Sequence, residues 1–230
     1  MTGTWLRGLL LPATVSEVRQ ALATARFVSG RQTAHGAARA AKDNLQLAAD
    51  DPLARELNAR LAAALSASDL FRTVAMPRVL VPFTFARYDP GMTYGDHVDL
   101  PVMGTSLGPV RTDLSLTIFL SDPSDYDGGE LSIDVGHGLD GVPATTRIKG
   151  AAGDGYLYSA AHTHRVMPVS RGQRLVALTW AQSLVADAEE REILAALALT
   201  LGTLASEGVP EASLLPLRAI QNRLSRRWVR

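Results

Sequence analysis

The chain has no cysteine among its 230 residues. Disulfides, thiolate metal sites and cysteine nucleophiles are therefore excluded, which agrees with a reducing cytosol. Net charge is also lacking, because 23 Lys+Arg balance 23 Asp+Glu. A broad electrostatic footprint for nucleic acid is thus not expected. The one basic cluster, Arg223, Arg226, Arg227 and Arg230, reads as a solvated helix end. No apolar run is long enough to cross a membrane. Leu9-Leu10-Leu11 is cut by Pro12, and no small-residue cleavage site follows it. Internal repeats and low-complexity segments are absent too. What remains is 47% hydrophobic and 20% charged residues, enough to build one globular domain with a core. The expectation is a soluble, cytoplasmic protein with no nucleic-acid or membrane partner.

Before Arg78 the periodicity is helical. Thr14 and Glu17 have capping-box spacing, and Val15, Val18, Leu22 and Ala25 share one face. Asp51-Pro52 supplies an N-cap and first-turn pair, after which Leu53, Leu57, Leu61 and Leu65 recur every four residues. Each helix has a single apolar face, so both should pack on something larger. From residue 78 to 183, short apolar runs are separated by Gly, Pro and Asp. Strands are expected over 78–88, 113–120, 130–135, 145–149, 155–158, 164–169 and 173–182, with Gly136–Pro143 as a hairpin loop. Many short strands without a long helical crossover indicate an antiparallel sandwich or barrel. Gly128-Gly129 reads as a bend at its rim, and Arg111 with Asp113 as a surface pair or as a pair that orients a loop.

Helices resume where Asp187 and Glu190 have capping-box spacing. Ile193, Leu194, Leu197 and Leu201 follow, with a stop at Gly208 and Pro210. A last helix from about Glu211 places Leu214, Leu217, Ile220, Leu224 and Trp228 on one side. These apolar helices are also candidate contacts for a homo-oligomer. The expected fold is mainly β with flanking helices, in one domain over 1–230. Helical support occupies 1–77, the β core 78–183, and C-terminal helices 187–230.

The sharpest chemical constellation is Tyr94-Gly95-Asp96-His97-Val98-Asp99. On an extended strand, residues two apart share a face, so His97 and Asp99 can project together. An imidazole and a carboxylate are two legs of a facial triad, which holds iron(II) and leaves adjacent positions open for substrate and oxygen. The third leg must be a histidine, and the chain offers His35, His137, His162 and His164. His162-Thr163-His164 opens a strand after Tyr156-Leu157-Tyr158, and either ring could face the site. Ten residues past His164 stands Arg174, whose planar fork suits a dicarboxylate co-substrate. Val176, Leu178 and Trp180 share its face by period-two alternation, an apolar wall for a water-poor pocket. Lys42, Asn44 and Gln46 alternate with Leu45 and Leu47, as an edge strand with one polar row would.

In these blocks the sequence resembles the PKHD-type hydroxylases, bacterial iron(II)/2-oxoglutarate oxygenases related to prolyl 4-hydroxylases and often linked with iron uptake. The likeness runs through Ala41–Leu47, Arg87-Tyr88, Tyr94–Asp99, Arg111–Ser115, Phe119–Pro123 and Tyr126–Leu131. It continues through His164–Val166 with Pro168-Val169, Arg171–Arg174 and Trp180–Ser183. The resemblance implies a double-stranded β-helix, a jelly-roll or cupin-like core. It also implies iron on His97, Asp99 and His164, because the family's ligand directly precedes the Arg-Val that stands here as Arg165-Val166. By the same resemblance Arg174 takes the carboxylate of 2-oxoglutarate, with Tyr88 a hydrogen-bonding neighbour. The row Lys42, Asn44 and Gln46 can then face substrate as readily as solvent; Asn44, Tyr94 and Trp180 become candidates for contact with it, and His162 has no assigned role. Three regions depart from the family pattern. Gly136–Arg147 is longer, Ala160-Ala161-His162 is less polar, and the C-terminal helices are richer in alanine and leucine. Substrate choice is what these departures bear on.

The implied reaction hydroxylates an unactivated carbon with O2 while 2-oxoglutarate is decarboxylated to succinate, with ascorbate as an accessory reductant. The substrate is a small molecule or a peptidyl group: a peptidyl proline, a free amino acid, a siderophore and a secondary metabolite all fit. Two rival readings use the same ligands. One is a zinc hydrolase with a metal-bound water, which gives Arg174 no task. The other is a non-catalytic iron/2-oxoglutarate-binding sensor.

Overall fold

The computed structural model describes residues 3–34, 36–105, 108–137 and 143–230, with backbone alone at 137 and 143. The hairpin loop expected at Gly136–Pro143, and His35 as a possible ligand, fall largely outside these residues. The N-terminal part comprises β1 (Thr4–Leu6), α1 (Pro12–Ala23), β2 (Phe27–Ser29), α2 (Gly36–Ala41), β3 (Lys42–Asp43), β4 (Leu45–Leu47), α3 (Pro52–Ala67) and α4 (Asp69–Ala75). Next come β5 (Pro77–Leu80), β6 (Thr84–Tyr88), β7 (Thr93–His97), β8 (Val102–Thr105), β9 (Gly108–Arg111) and β10 (Leu114–Phe119). They are followed by β11 (Tyr126–Gly128), β12 (Leu131–His137), β13 (Pro143–Ile148), β14 (Gly155–Ser159), β15 (His164–Val166), β16 (Val169–Gly172) and β17 (Arg174–Ser183). Two helices follow, α5 (Ala188–Ser206) and α6 (Glu211–Trp228).

Antiparallel pairing gathers these strands into two main sheets. The major sheet has the order β1-β14-β10-β17-β6-β4-β2, with β5 also on β17, and the minor sheet β13-β12-β15-β7-β3. The two form a jelly roll, beside which lie the short pairs β8-β9 and β11-β16. Alternation decides which layer each side chain joins. On β10, Leu114, Leu116 and Ile118 join a cluster with Val18 and Leu22 of α1 and Leu57, Leu61 and Leu65 of α3. Phe119 joins a second cluster with Tyr88, Leu131, Ile133, Val166 and Val176. On β17, Leu175, Ala177 and Ala181 belong to the first cluster and Val176 to the second. Coverage on both faces gives β17 its apolar run Leu175–Leu178, whereas β10 alternates and turns Ser115 and Thr117 to the inner side.

Several local expectations change. Residues 78–88 form two strands rather than one, because Pro82 has no N–H for a ladder and interrupts the run between β5 and β6. The run 164–169 is divided the same way at Pro168. Helix α1 starts at Pro12, ahead of the Thr14–Glu17 box, and Leu11 caps it without a side-chain hydrogen bond. Proline in the first turn presets φ and makes no demand for a capped N–H. The other two starts are as expected. Asp51 accepts from the Leu53 N–H at 3.0 Å, and Asp187 accepts from the Glu190 N–H at 2.9 Å. On α5, Leu194 and Leu201 are buried but Ile193 is exposed, and on α6 Leu214 alone is deeply buried.

Two side details tie the sheets together. Asp113 pairs with Arg111 at 2.6 Å and also accepts the Ser183 N–H at 2.8 Å, so the pair anchors the far end of β17. Gly128 and Gly129 have φ of 73° and 66° at a bulge of β11 against β16, where a side chain would be strained. Among the described residues no helix is long and apolar enough to cross a membrane.

The helix-to-sheet cluster should dominate stability. Leu61 is fully buried, and Leu61→Ala is expected to lower the unfolding free energy by about 2–5 kcal/mol in urea titrations. Leu215, on the outer side of α6, is 61% exposed. Its replacement by Ala should change stability by less than about 0.5 kcal/mol.

Candidate metal centre

Strands β7 and β15 pair so that His97 stands directly opposite His164. Opposed residues of an antiparallel pair point to the same face, and the two ring centres lie 4.2 Å apart. Asp99 arrives differently from the expected strand alternation. Strand β7 ends at His97, and Asp99 belongs to the irregular segment leading to β8. The chain leaves the sheet and folds back, placing Asp99 Oδ1 3.8 Å from His164 Nε2. One ligand atom from each of His97, Asp99 and His164 lies within 4.8 Å of the other two. A single ion with bonds of roughly 2.1 Å can bridge that spacing after small side-chain adjustment. This is the candidate metal-binding group found among the described residues.

The tautomers fit a metal as well. His97 Nδ1 lies 2.8 Å from the Gly95 carbonyl, and His164 Nδ1 lies 2.9 Å from the His162 carbonyl. A carbonyl oxygen only accepts, so each Nδ1 carries the proton and each Nε2 presents its lone pair. Tyr94 stacks on His97 at 3.6 Å between centroids, and Tyr158 meets His164 edge-on at 5.3 Å. Both rings are thereby held in plane. Burial, reinforced by the neighbouring His164, pushes His97 down to about 4. Its imidazole is neutral at pH 7, the form a metal needs. Asp99 Oδ2 is buried with no hydrogen-bond partner among the described residues. His162, half-buried in the turn before β15, contributes its main-chain carbonyl and not its ring.

The triad opens into a cavity of about 440 Å³. Arg174 lines it and is 1% exposed. Its guanidinium carbon sits 5.0 Å from the centre of the Tyr88 ring, the residue opposite it on β6. Among the described residues Nε and Nη1 of Arg174 have no hydrogen-bond partner, and no carboxylate lies within ion-pair reach. A buried cation left so is costly unless an anion joins it, and a guanidinium suits a carboxylate. Burial raises Tyr88, against smaller opposing effects of Arg174 and the Asn44 side chain. Its phenol therefore remains a donor. Leu178 and Trp180 line the same wall as alternation predicts, and Trp180 Nε1 is buried without an acceptor.

The polar row of residues 42–46 is not an exposed edge. Lys42, Asn44 and Gln46 are 7%, 3% and 4% exposed and all line the cavity. The segment crosses between layers, with β3 paired to β7 in the minor sheet and β4 paired to β6 in the major one. Burial lowers the Lys42 ammonium to about 8, partly offset by Asp99. Thr33, Ser115, Thr117 and Tyr158 also line the cavity and were not singled out from sequence. The alternation Leu114-Ser115-Leu116-Thr117-Ile118 carried the signal for two of them. A second cleft of about 520 Å³, between Arg19, Phe27, Arg87 and Asp125, contains none of the candidate ligands.

The chain is similar in sequence and in fold to known proteins. Residues 83–182 match the 2OG-Fe(II) oxygenase superfamily. A PKHD-type hydroxylase from Xanthomonas campestris pv. campestris (strain B100) is 40% identical over 224 residues, 96% of each chain. A prolyl-4-hydroxylase from Pseudomonas putida superposes with a TM-score of 0.52 at 19% identity, covering 79% of this chain and 92% of the other. A prolyl hydroxylase from Trichoplax adhaerens, solved with a peptide fragment of hypoxia inducible factor, gives 0.56 at 15% identity, covering 84% and 86%. At these identities the two structures bear on the fold alone.

Under nitrogen, cobalt(II) absorption should report one bound ion per chain. His97→Ala, Asp99→Ala and His164→Ala are each expected to weaken binding by about a hundredfold or more, above the effect usual for outer partners of a ligand. His162→Ala should leave it nearly unchanged, since the carbonyl survives the substitution. The reverse ranking of His162 and His164 would overturn the assignment.

Proposed function

The chain belongs to the PKHD-type hydroxylases of the 2OG-Fe(II) oxygenase superfamily, and we propose that it holds iron(II) on His97, Asp99 and His164 and 2-oxoglutarate on Arg174. As an iron(II)- and 2-oxoglutarate-dependent dioxygenase it hydroxylates a substrate carbon while the co-substrate is decarboxylated to succinate. Bound iron supplies the activation of O2, which no side chain here can provide. The protein supplies orientation and shelter.

The two Nδ1–H groups, tied to the Gly95 and His162 carbonyls, aim both Nε2 atoms at one point. Arg174 holds the distal carboxylate of 2-oxoglutarate with its guanidinium, whose Nε and Nη1 have no partner among the described residues. The Tyr88 phenol beside it donates to the same co-substrate. Leu131, Val166 and Leu178 line the cavity and exclude water there, which strengthens the charge pairing at Arg174. Asn44, Tyr94 and Trp180 are the proposed contacts with substrate. Among the described residues, Trp180 brings an N–H without an acceptor and Asn44 an amide without a well-aligned partner. Tyr94 is held protonated by burial.

Residues 1–77 belong to the same catalytic domain in this reading, because Thr33, Lys42, Asn44 and Gln46 form part of the cavity wall. The exposed Ile193, Leu199, Leu215 and Ile220 of α5 and α6 support self-association of the chain.

The unpaired, buried Arg174 beside a histidine-aspartate-histidine cluster carries the co-substrate assignment. Arg174→Ala is expected to weaken 2-oxoglutarate binding by about 3 kcal/mol, on the order of a hundredfold, in anaerobic titrations of the iron-loaded protein. Arg174→Lys should recover part of the loss, because an ammonium cannot make the two-pronged contact. Iron affinity should hardly move in either variant. Unchanged co-substrate affinity in Arg174→Ala would sink the assignment.

A further inference from the structure

The cavity contains a second buried cation. Lys42 is 7% exposed and pairs with Tyr94 across β3 and β7. Its Nζ donates to Thr33 Oγ1 at 2.9 Å and lies 5.1 Å from the centre of the Tyr94 ring, which itself stacks on His97. Thr33 lies 2.7 Å from Gln46 Oε1 and 3.1 Å from the Gly30 carbonyl, both acceptors, so its one proton is already committed. It can therefore only accept from Lys42. An ammonium has three donors, and Thr33 uses one. Among the described residues no carboxylate is within ion-pair distance of Nζ.

This cation is separate from the one assigned to the co-substrate. Arg174 stands on β17 against Tyr88 and Gly129, whereas Lys42 stands on β3 against Tyr94 and Thr33. A 2-oxoglutarate bound to the metal through its oxo-acid end has one free carboxylate, and Arg174 takes it. Lys42 is left facing the cavity with two N–H donors and one positive charge. Further along the lining the surface is apolar. Val98, Leu100 and Val102 are 51%, 46% and 51% exposed, and with Met103 they border the same cavity. Exposed apolar side chains grouped at a cavity mark a binding surface.

We propose that Lys42 anchors a carboxylate of the substrate, so that the enzyme acts on a small carboxylic acid whose apolar body lies along Val98, Leu100 and Val102. The proposal rests on the assignment of the triad and Arg174 given above. A single ammonium matches a monoanion. A phosphate dianion would leave excess negative charge near Asp99, which already interacts with Lys42. The volume of about 440 Å³ must also accommodate 2-oxoglutarate, which limits the acid to a modest size.

The test uses full-length protein loaded with manganese(II) and saturating 2-oxoglutarate under nitrogen. The probes are N-acetyl amino acids with apolar side chains, each paired with its carboxamide, and the readout is paramagnetic broadening of the probe's proton signals. At least one acid should be broadened with an affinity about tenfold or more above that of its amide, the scale expected for a desolvated charge pair. Lys42→Gln should erase that preference and Lys42→Arg should retain part of it. If the acids show no advantage over their amides in the wild type, or Lys42→Gln keeps the advantage, the proposal is overturned. A separate 2-oxoglutarate titration of the wild type distinguishes the two levels: loss of co-substrate binding there would count against the triad and Arg174 instead.

Discussion

A guanidinium buried without a carboxylate partner is costly, and the rest of this structure depends on keeping one in place. Removal of such a charge from water is offset only by an anion or a dense set of acceptors. Arg174 has neither within the described residues and is nonetheless 1% exposed. Strand β17 allows this because it is the most heavily paired strand of the major sheet. It bonds to β10 along one edge and to β6 and β5 along the other. Moving Arg174 into solvent would break ladders on both sides. Gly129 lets the backbone pass close to the Arg174 side chain, where an added Cβ would lie 3.0 Å from Cδ. The site is preorganised by the sheet and not by local flexibility.

The two layers divide the labour. The minor sheet carries the histidine pair, because antiparallel pairing of β7 with β15 sets His97 against His164. The major sheet carries the anion-binding side, because pairing of β6 with β17 sets Tyr88 against Arg174. Between them the segment 42–47 changes sheets, joining β7 through β3 and β6 through β4. The helices matter at one remove. Packing of α1 and α3 on the outer face of β10 and β17 frees the inner face of those strands for Ser115, Thr117 and Arg174.

Much of this was legible in the sequence, for identifiable reasons. Long strands covered on both faces, such as β10 and β17, leave a periodic record, and alternation placed Leu178 and Trp180 beside Arg174 correctly. Helix starts governed by a local cap were equally readable at Asp51 and Asp187. The histidine choice was not a local matter: only the resemblance separated His164 from His162, and in the structure it is the His162 carbonyl that meets the His164 ring. What failed to show was long-range. Asp99 reaches the site after the strand has ended, so no strand period describes it. Strands of two to four residues, such as β3 and β4, have no period at all. For the polar row Lys42, Asn44 and Gln46, alternation alone reads as an edge strand and only the resemblance turns it toward substrate, because burial depends on partners distant in sequence. Thr14 was overruled by Pro12, whose fixed φ starts a helix earlier than a side-chain cap would.

The pairing of β1 with β14 sets a timetable for the chain. Thr4 is the partner of Leu157, and the Thr93 hydroxyl donates to the carbonyl of Val166. During synthesis at roughly 5–20 residues per second, α1 and α3 can form as soon as they emerge. β1 has no neighbour until β14 has been made. His97 likewise waits for β15, and the anion-binding wall waits for β17. Topologies dominated by such distant contacts fold on slow timescales. The histidine pair that would hold a metal can therefore be assembled only after β15 has been made, some seventy residues after His97.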